Sequence, residues 1–386
     1  MSTSPSGAGS QASLRERNTA ALSAALSARG PQLQAELATL TGLSRATVSN
    51  IVGQEVEAGR FRVERVLRDG RWGVLVSLVP EGWVVFGVDV GRTHVRLVGW
   101  DTARHEIGGR AEPLAPGHSP ESTLTLVARL LDDVVADAGM GRSAVRRVGL
   151  SLPASIGPDG EVVQGSVLRE WSGRDLHRLA VEALGVDVVI ENDANLGALA
   201  HAQHASARGG TLVYVKIASG IGAGIVTGDQ VYRSTSGLTG EIGHVQVVDG
   251  GQTCYCGSRG CLETLASVRT IVADYGHARG REATVDDLVA AVLANDRVAV
   301  RILEEAGDAL GRVLASVCNL LGPDAVVLGG PLAPVGEPLL AAVVASVRKR
   351  ALPSAIGGVE FSMSHLEPRA EVQGACLLAL APGGVV

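Results

Sequence analysis

One histidine and three cysteines stand close together between positions 244 and 261: His244, Cys254, Cys256 and Cys261. One imidazole and three thiolates make a soft four-donor set, the kind that tetrahedral zinc takes in structural sites. Gly257 and Gly260 free the backbone to turn, so that Cys256 and Cys261 can come back to one ion. The chain of 386 residues has five cysteines, so three within eight positions are a cluster and not background. The other two, Cys318 and Cys376, lie in apolar helical stretches and read as ordinary buried residues. An odd cysteine count with no legible secretory signal leads to the expectation of a reducing cytosol, where thiols serve metals instead of disulfides. Two carboxylates, Glu241 and Glu263, bracket the run and are not needed as ligands. They would be held rigidly beside the metal and free to meet something else, so the metal is expected to be structural and to shape a ligand pocket.

Several elements must position this cluster. A chain of this length exceeds one typical core and divides into two or three domains. It is 46% hydrophobic but 3% aromatic, which implies cores of Val, Leu, Ala and Ile. No apolar run approaches the roughly 20 residues of a membrane span. The formal charge is −6, yet residues 1–72 carry nine Arg against six acidic residues. A small basic head on an acidic body is the footprint of a local DNA-binding module.

Residues 1–12 are Ser- and Gly-rich and read as a disordered tail. From 13 to 80 the pattern is that of a winged helix-turn-helix. Apolar residues recur at helical spacing through Leu14, Ala21, Leu22, Ala25 and Leu26, until Gly30-Pro31 breaks the helix. A short helix over Ala35–Leu40 leads into the turn Thr41-Gly42-Leu43. Ser44 can cap the next helix, whose buried stripe is Val48, Ile51, Val52 and Val56. Its opposite face carries Arg45, Thr47, Ser49 and Asn50, short or planar polar groups able to reach base edges in a major groove. Two strands, Phe61–Leu67 and Gly73–Val79, are joined through Arg68-Asp69-Gly70-Arg71, and Asp-Gly is a strong hairpin signal. Arg68 and Arg71 at that tip are placed to touch phosphates or a minor groove.

Beyond residue 82 the texture is α/β. Strands are predicted at Val84–Val90, His94–Trp100, Arg147–Leu152 and Val186–Ile190, with helices at about 120–138 and 174–184. The last of these strands runs into Glu191-Asn192-Asp193-Ala194-Asn195, which opens a helix. Thr211–Ile217, the turn Ala218-Ser219-Gly220-Ile221-Gly222 and Ala223–Thr227 then repeat the opening strand–Gly-turn–strand unit. Two lobes are therefore expected, 83–200 and 201–386. A strand at Ala325–Leu328 ends in Gly329-Gly330, and helical stretches at 299–321 and 370–381 complete the second lobe and return toward the first.

Three segments, Gly240–His244 (GEIGH), Cys254–Glu263 (CYCGSRGCLE) and Glu191–Asn195 (ENDAN), resemble the ROK family of repressors, open reading frames and kinases. The resemblance covers nearly the whole chain and implies an actin-like, two-lobed sugar-kinase body behind the winged-helix head of the regulator branch. It implies that His244, Cys254, Cys256 and Cys261 hold zinc and that Asn192, Asp193, Glu241, His244 and Glu263 line a hexose site. Sugar hydroxyls both donate and accept, which suits amide, carboxylate and imidazole groups. In a kinase Asp193 would take the proton of the attacking hydroxyl; its alternative role is that of a helix N-cap.

The nucleotide side departs from the family's kinases. Asp-x-Gly-Gly-Thr appears as Asp89-Val90-Gly91-Arg92-Thr93, Gly-Thr-Gly as Ala218-Ser219-Gly220, and Gly-Gly-Gly as Gly329-Gly330-Pro331. Each change adds a side chain or ring where backbone amides should approach phosphate. Asp89, Gly91, Thr93, Gly220, Gly222, Gly329 and Gly330 thus read as vestigial nucleotide turns. On the sugar side an Asn found in family kinases before a Trp is absent from Ser166–Trp171. The expectation is a cytoplasmic, sugar-responsive DNA-binding regulator and not an enzyme, most simply a repressor of carbohydrate genes. It would act as a homodimer or dimer of dimers on a palindromic operator. The alternatives are an ATP-dependent, glucokinase-like sugar kinase carrying a DNA-binding domain, and a zinc sensor.

Overall fold

The computed structural model describes residues 8–68, 70–79, 82–157, 160–163, 168–203 and 209–381. In the head, α1 (Ala8–Arg29), β1 (Gln32–Leu33), α2 (Gln34–Thr41), α3 (Arg45–Glu57), β2 (Phe61–Arg68) and β3 (Arg71–Leu78) follow one another. The first helix starts inside the stretch read as a tail, so residues 8–12 are helical, while residues 1–7 lie outside the described ones. The Glu36 carboxylate accepts from the Leu33 amide at 2.8 Å and satisfies an otherwise orphan donor at the start of α2. Gly42, at φ +69°, makes the left-handed turn that an L side chain resists. Ser44 then caps α3, its hydroxyl accepting from the Thr47 amide at 3.1 Å.

Leu22, Leu26, Leu37, Val48, Ile51, Val52, Phe61 and Val76 form the head's core. Each such side chain contributes about 1.5–3 kcal/mol on burial. The expected stripe of α3 needs one correction. Val56 is only half-buried, and Glu55 is buried instead. That costly burial is offset by Arg60, whose Nη2 donates to Glu55 Oε1 at 2.8 Å and whose guanidinium holds the carboxyl below the usual carboxylate range. Strands β2 and β3 pair from Phe61↔Leu78 to Arg68↔Arg71, a two-residue hairpin with Gly70 at φ +72°; Asp69 lies outside the described residues. A third strand that sequence periodicity does not reveal, β1, adds to β3 and gives the order β1-β3-β2.

The body holds two five-stranded sheets. The first takes β4 (Val84–Val90), β5 (His94–Asp101), β6 (Glu106–Pro113), β7 (Val145–Leu152) and β8 (Asp187–Asn192) in the order β6-β5-β4-β7-β8. Its helices are α4 (Pro120–Asp137), α5 (Leu176–Leu184) and α6 (Asp193–Ala202). The second takes β9 (Thr211–Ile217), β10 (Ile221–Thr227), β11 (Gln230–Val231), β12 (Ala325–Gly329) and β13 (Glu360–Met363) in the order β11-β10-β9-β12-β13. Shifting every strand number by five turns one order into the other, so the repeated strand–turn–strand unit of the sequence is the visible part of a duplicated sheet. Strand β4 is buried along its whole length, which is why it reads as an unbroken apolar run. Because β10 begins at Ile221, Gly222 is a strand residue and the turn before it is shorter than expected.

The second sheet carries α7 (Glu263–Ala266), α8 (Val268–Arg279), α9 (Val285–Leu293), α10 (Arg297–Leu321), α11 (Glu337–Arg350) and α12 (Pro353–Ile356). The last helix, α13 (Ala370–Leu380), meets β7 and α6 at backbone contact. A Cβ on Gly149 would stand 2.1 Å from the Ala375 carbonyl, and one on Gly374 would stand 2.0 Å from that of Leu196. Only glycine fits at either place. Cys318 and Cys376 are buried in α10 and α13, as expected of ordinary core cysteines.

Candidate ligand cleft, metal cluster and nucleic-acid face

The loop after β11 brings the four sulfur and nitrogen donors together. His244 Nδ1 lies 3.5 Å from Cys254 Sγ, Cys256 Sγ lies 3.8 Å from Cys261 Sγ, and the four ligand atoms all fall within 4.8 Å of one another. A tetrahedral zinc at about 2.3 Å from sulfur and about 2.0 Å from nitrogen has edges of about 3.8 Å between sulfurs and about 3.5 Å from sulfur to nitrogen. The spacing fits. The cluster can therefore hold a metal ion. Gly257 (φ +92°) and Gly260 (φ +68°) make the turns for which glycine is required. With Nδ1 toward the ion, the other ring nitrogen of His244 faces the Tyr255 hydroxyl at 3.0 Å and Glu241 Oε2 at 3.8 Å. With a metal ion bound, these two neighbours would orient the ring.

The same histidine borders a cavity of about 90 Å³, on which Asn192, Asp193, Glu241, His244 and Glu263 all converge. Three more polar residues line it that the sequence reading does not contain: Ser155, Lys216 and Tyr255. Ser155 Oγ donates to Glu241 Oε1 at 2.5 Å. Glu263 is buried, and burial pushes its carboxyl above the usual carboxylate range. Glu191 lies behind the site; it accepts from Asn195 Nδ2 at 2.9 Å and from Arg233 Nε at 2.6 Å, and so orients the ENDAN turn. The cap of α6 is Asn192, not Asp193: Asn192 Oδ1 accepts from the Asn195 amide at 3.1 Å, and its Nδ2 donates to the Ala154 carbonyl at 3.0 Å. Asp193, the first helical residue, accepts from the Ala194 amide at 2.8 Å and pairs with Lys216 Nζ at 2.8 Å.

On the nucleotide side a larger cavity of about 890 Å³ is lined by Arg92, Thr93, His94, Ala218, Ser219 and Pro331, together with apolar side chains of α8. Arg92, in place of the family's second glycine, stands exposed on its rim. Asp89, at the end of β4, is buried and held by Ser151 Oγ at 2.9 Å and His94 Nε2 at 2.9 Å. Burial alone would raise its pKa. The hydrogen bond from His94 and the charge of Lys216 prevail and hold it at about 2. The Gly330 amide donates to Glu367 Oε1 at 2.9 Å. Residues 166 and 167, where the family's Asn is absent, lie outside the described residues.

In the head, Arg45, Ser49 and Asn50 are exposed on α3, while Thr47 is half-buried with its hydroxyl against that of Ser44 at 2.8 Å. Thr47 is thus in part a capping residue. Arg45, Arg68 and Arg71 border one concavity of about 880 Å³. Trp72, unremarked in the sequence, projects there from β3 at 67% exposure, with the Arg65 guanidinium 5.7 Å from its ring.

A model of the ROK family matches residues 85–381. The chain belongs to the ROK family. Among its relatives is a putative xylose repressor of Caldicellulosiruptor sp. (strain Rt8B.4), 27% identical over an alignment 369 residues long that covers 90% of this chain and 91% of that protein. That share exceeds what the ROK span contains, so the similarity runs on into the head. A glucokinase of Halalkalibacterium halodurans is 29% identical over an alignment 312 residues long that covers 77% of this chain and 94% of that protein. A crystal structure of a ROK family transcriptional regulator, a homolog of the Escherichia coli Mlc protein, superposes with a TM-score of 0.70 at 24% identity, over 94% of this chain and 95% of that one. At that identity the likeness speaks for the fold alone: an actin-like ROK body behind an N-terminal helical head with a small sheet. As a ROK protein with a head, the chain resembles the regulators over more of its length than it resembles the kinase.

Proposed function

We propose that the protein is a sugar-responsive DNA-binding transcriptional regulator, most simply a repressor of carbohydrate uptake or metabolism genes in the cytoplasm. The observation that carries this reading is the single concavity on the head shared by Arg45 of α3 and by Arg68 and Arg71 of the wing. Short polar side chains on α3 would read base edges, and the wing arginines would hold the backbone. One such head reads few base pairs, so a homodimer or dimer of dimers on a palindromic operator is proposed. The effector is a sugar or sugar derivative bound by Asn192, Asp193, Glu241, His244 and Glu263. A structural zinc ion held by His244, Cys254, Cys256 and Cys261 keeps His244 and Glu241 in register with the cavity. Footprinting the chain on its own promoter region tests this: a protected palindrome, released by one sugar of a hexose and pentose panel, is expected. A promoter that shows no protection sinks it.

The retained Asp193 and the similarity to a glucokinase favour a second reading, that of an ATP-dependent sugar kinase. An ADP-release assay across common hexoses, with Asp193→Ala as control, separates the two. Robust turnover that depends on Asp193 would reverse the ranking.

A further inference from the structure

At the inner end of β9 an apolar strand carries one charge, Lys216. Its register neighbours are Gly222 on β10 and Gly329 on β12, so no cross-strand side chain competes for the space around it. The ammonium lies 2.8 Å from Asp193 Oδ2 and 3.0 Å from Glu371 Oε1, with the side chain 15% exposed. Asp89 is close enough to act on it electrostatically. Three buried carboxylates, from β4, α6 and α13, are thus gathered around one point. Hard oxygen donors assembled from separate elements are what a divalent cation takes, and phosphoryl transfer needs such a cation to bridge the phosphates. Here the positive charge at that point belongs to the chain.

We propose that Lys216 is a tethered cation standing where this cleft would otherwise seat a divalent metal ion. Asp193 thereby stays a hydrogen-bond acceptor for a ligand hydroxyl, and no metal–nucleotide complex is seated beside it. An ammonium and a metal ion cannot share the Asp193 and Glu371 oxygens at hydrogen-bond distance. The lysine, held by its own strand, does not dissociate as a metal does. A third ammonium hydrogen is left for the cavity that Lys216 borders, so Asp193 and Lys216 offer an acceptor and a donor to one hydroxyl. The inference deepens the reading of the cleft as a site that binds without turnover.

The test uses Mn²⁺ alone, followed by electron paramagnetic resonance and by thermal shift on zinc-loaded protein, with neither sugar nor DNA. A failure here therefore leaves operator binding untouched, and a failed footprint leaves this result standing. Lys216→Ala frees the Asp193 and Glu371 oxygens beside Asp89 and is expected to bind Mn²⁺ at least about tenfold more tightly than wild type, with a rise in melting temperature. Adding Asp193→Asn should abolish the gain. If Lys216→Ala folds poorly without metal, Lys216→Ala/Glu371→Gln keeps the local charge near its present value. That double variant is expected to fold and still to exceed wild type in Mn²⁺ affinity. Folded variants that bind Mn²⁺ no better than wild type overturn the proposal, as does wild-type binding that Asp193→Asn removes.

Discussion

Asp89 shows how much a single buried charge can govern in this cleft. Ordinary aspartate titrates near 3.8; burial would raise that value, and the His94, Lys216 and Ser151 groups around it hold it at about 2. A folded-state pKa below the unfolded one adds stability that is present above 3.8 and is lost as pH falls toward 2. Asp89→Asn is therefore expected to be less stable than wild type at neutral pH by about 2 kcal/mol. The gap should close as the pH is lowered through that window, as read by denaturant unfolding at several pH values. A constant gap would mean that Asp89 acts by shape and not by charge. Arg45→Ala on α3, under the proposed function, should weaken operator binding by about 1–3 kcal/mol in a gel-shift titration and leave the unfolding midpoint unchanged. Residue chemistry was legible where donors lie close in sequence, as with the cysteine–histidine cluster. Lys216 was not, although a lone charge in the apolar strand Leu212–Ile217 is a signal, because Asp193 and Glu371 reach it from other elements. Tyr255, between two cysteines, could have been found from spacing alone.

Elements with strong local signals were predicted almost residue for residue. Strands β4 and β9 match their predicted ranges, and the wing hairpin follows from Asp-Gly. Strands β1, β6, β11 and β13 went unseen because short or edge strands owe their existence to a neighbour and not to their own pattern. The alternative reading of Asp193 as the N-cap of α6 falls one position late, since Asn192 is the cap: two adjacent residues can each cap a helix, and the sequence does not say which side chain Lys216 claims. The α13 contacts with β7 and α6 make an element-scale expectation. Gly149→Val places a side chain against the Ala375 carbonyl and should cost about 3 kcal/mol in denaturant unfolding. Gly53→Ala on α3, with nothing within 4 Å of its added methyl, should be neutral or slightly stabilising. Equal effects would remove the close-packing account.

For the whole molecule, the proposed coupling runs from metal to cavity. Tyr255 and Glu241 face His244 from the cavity side, so removing zinc with a chelator should lower the melting temperature and abolish the stabilisation given by an effector sugar. A sugar response that survives complete zinc loss would show the metal to be a remote brace. The two-lobed plan was legible from the repeated strand–turn–strand unit, but the equal strand order of the two sheets appears only in three dimensions. The place of α13 has a consequence for synthesis. Glu371 and the cover over Gly149 arrive some 220 residues after β7 has been made. A ribosome-bound chain can thus fold its head, whose core closes by residue 78, long before the cleft gains its last carboxylate. Under the proposed function, the sugar response is therefore the last property that a new chain acquires.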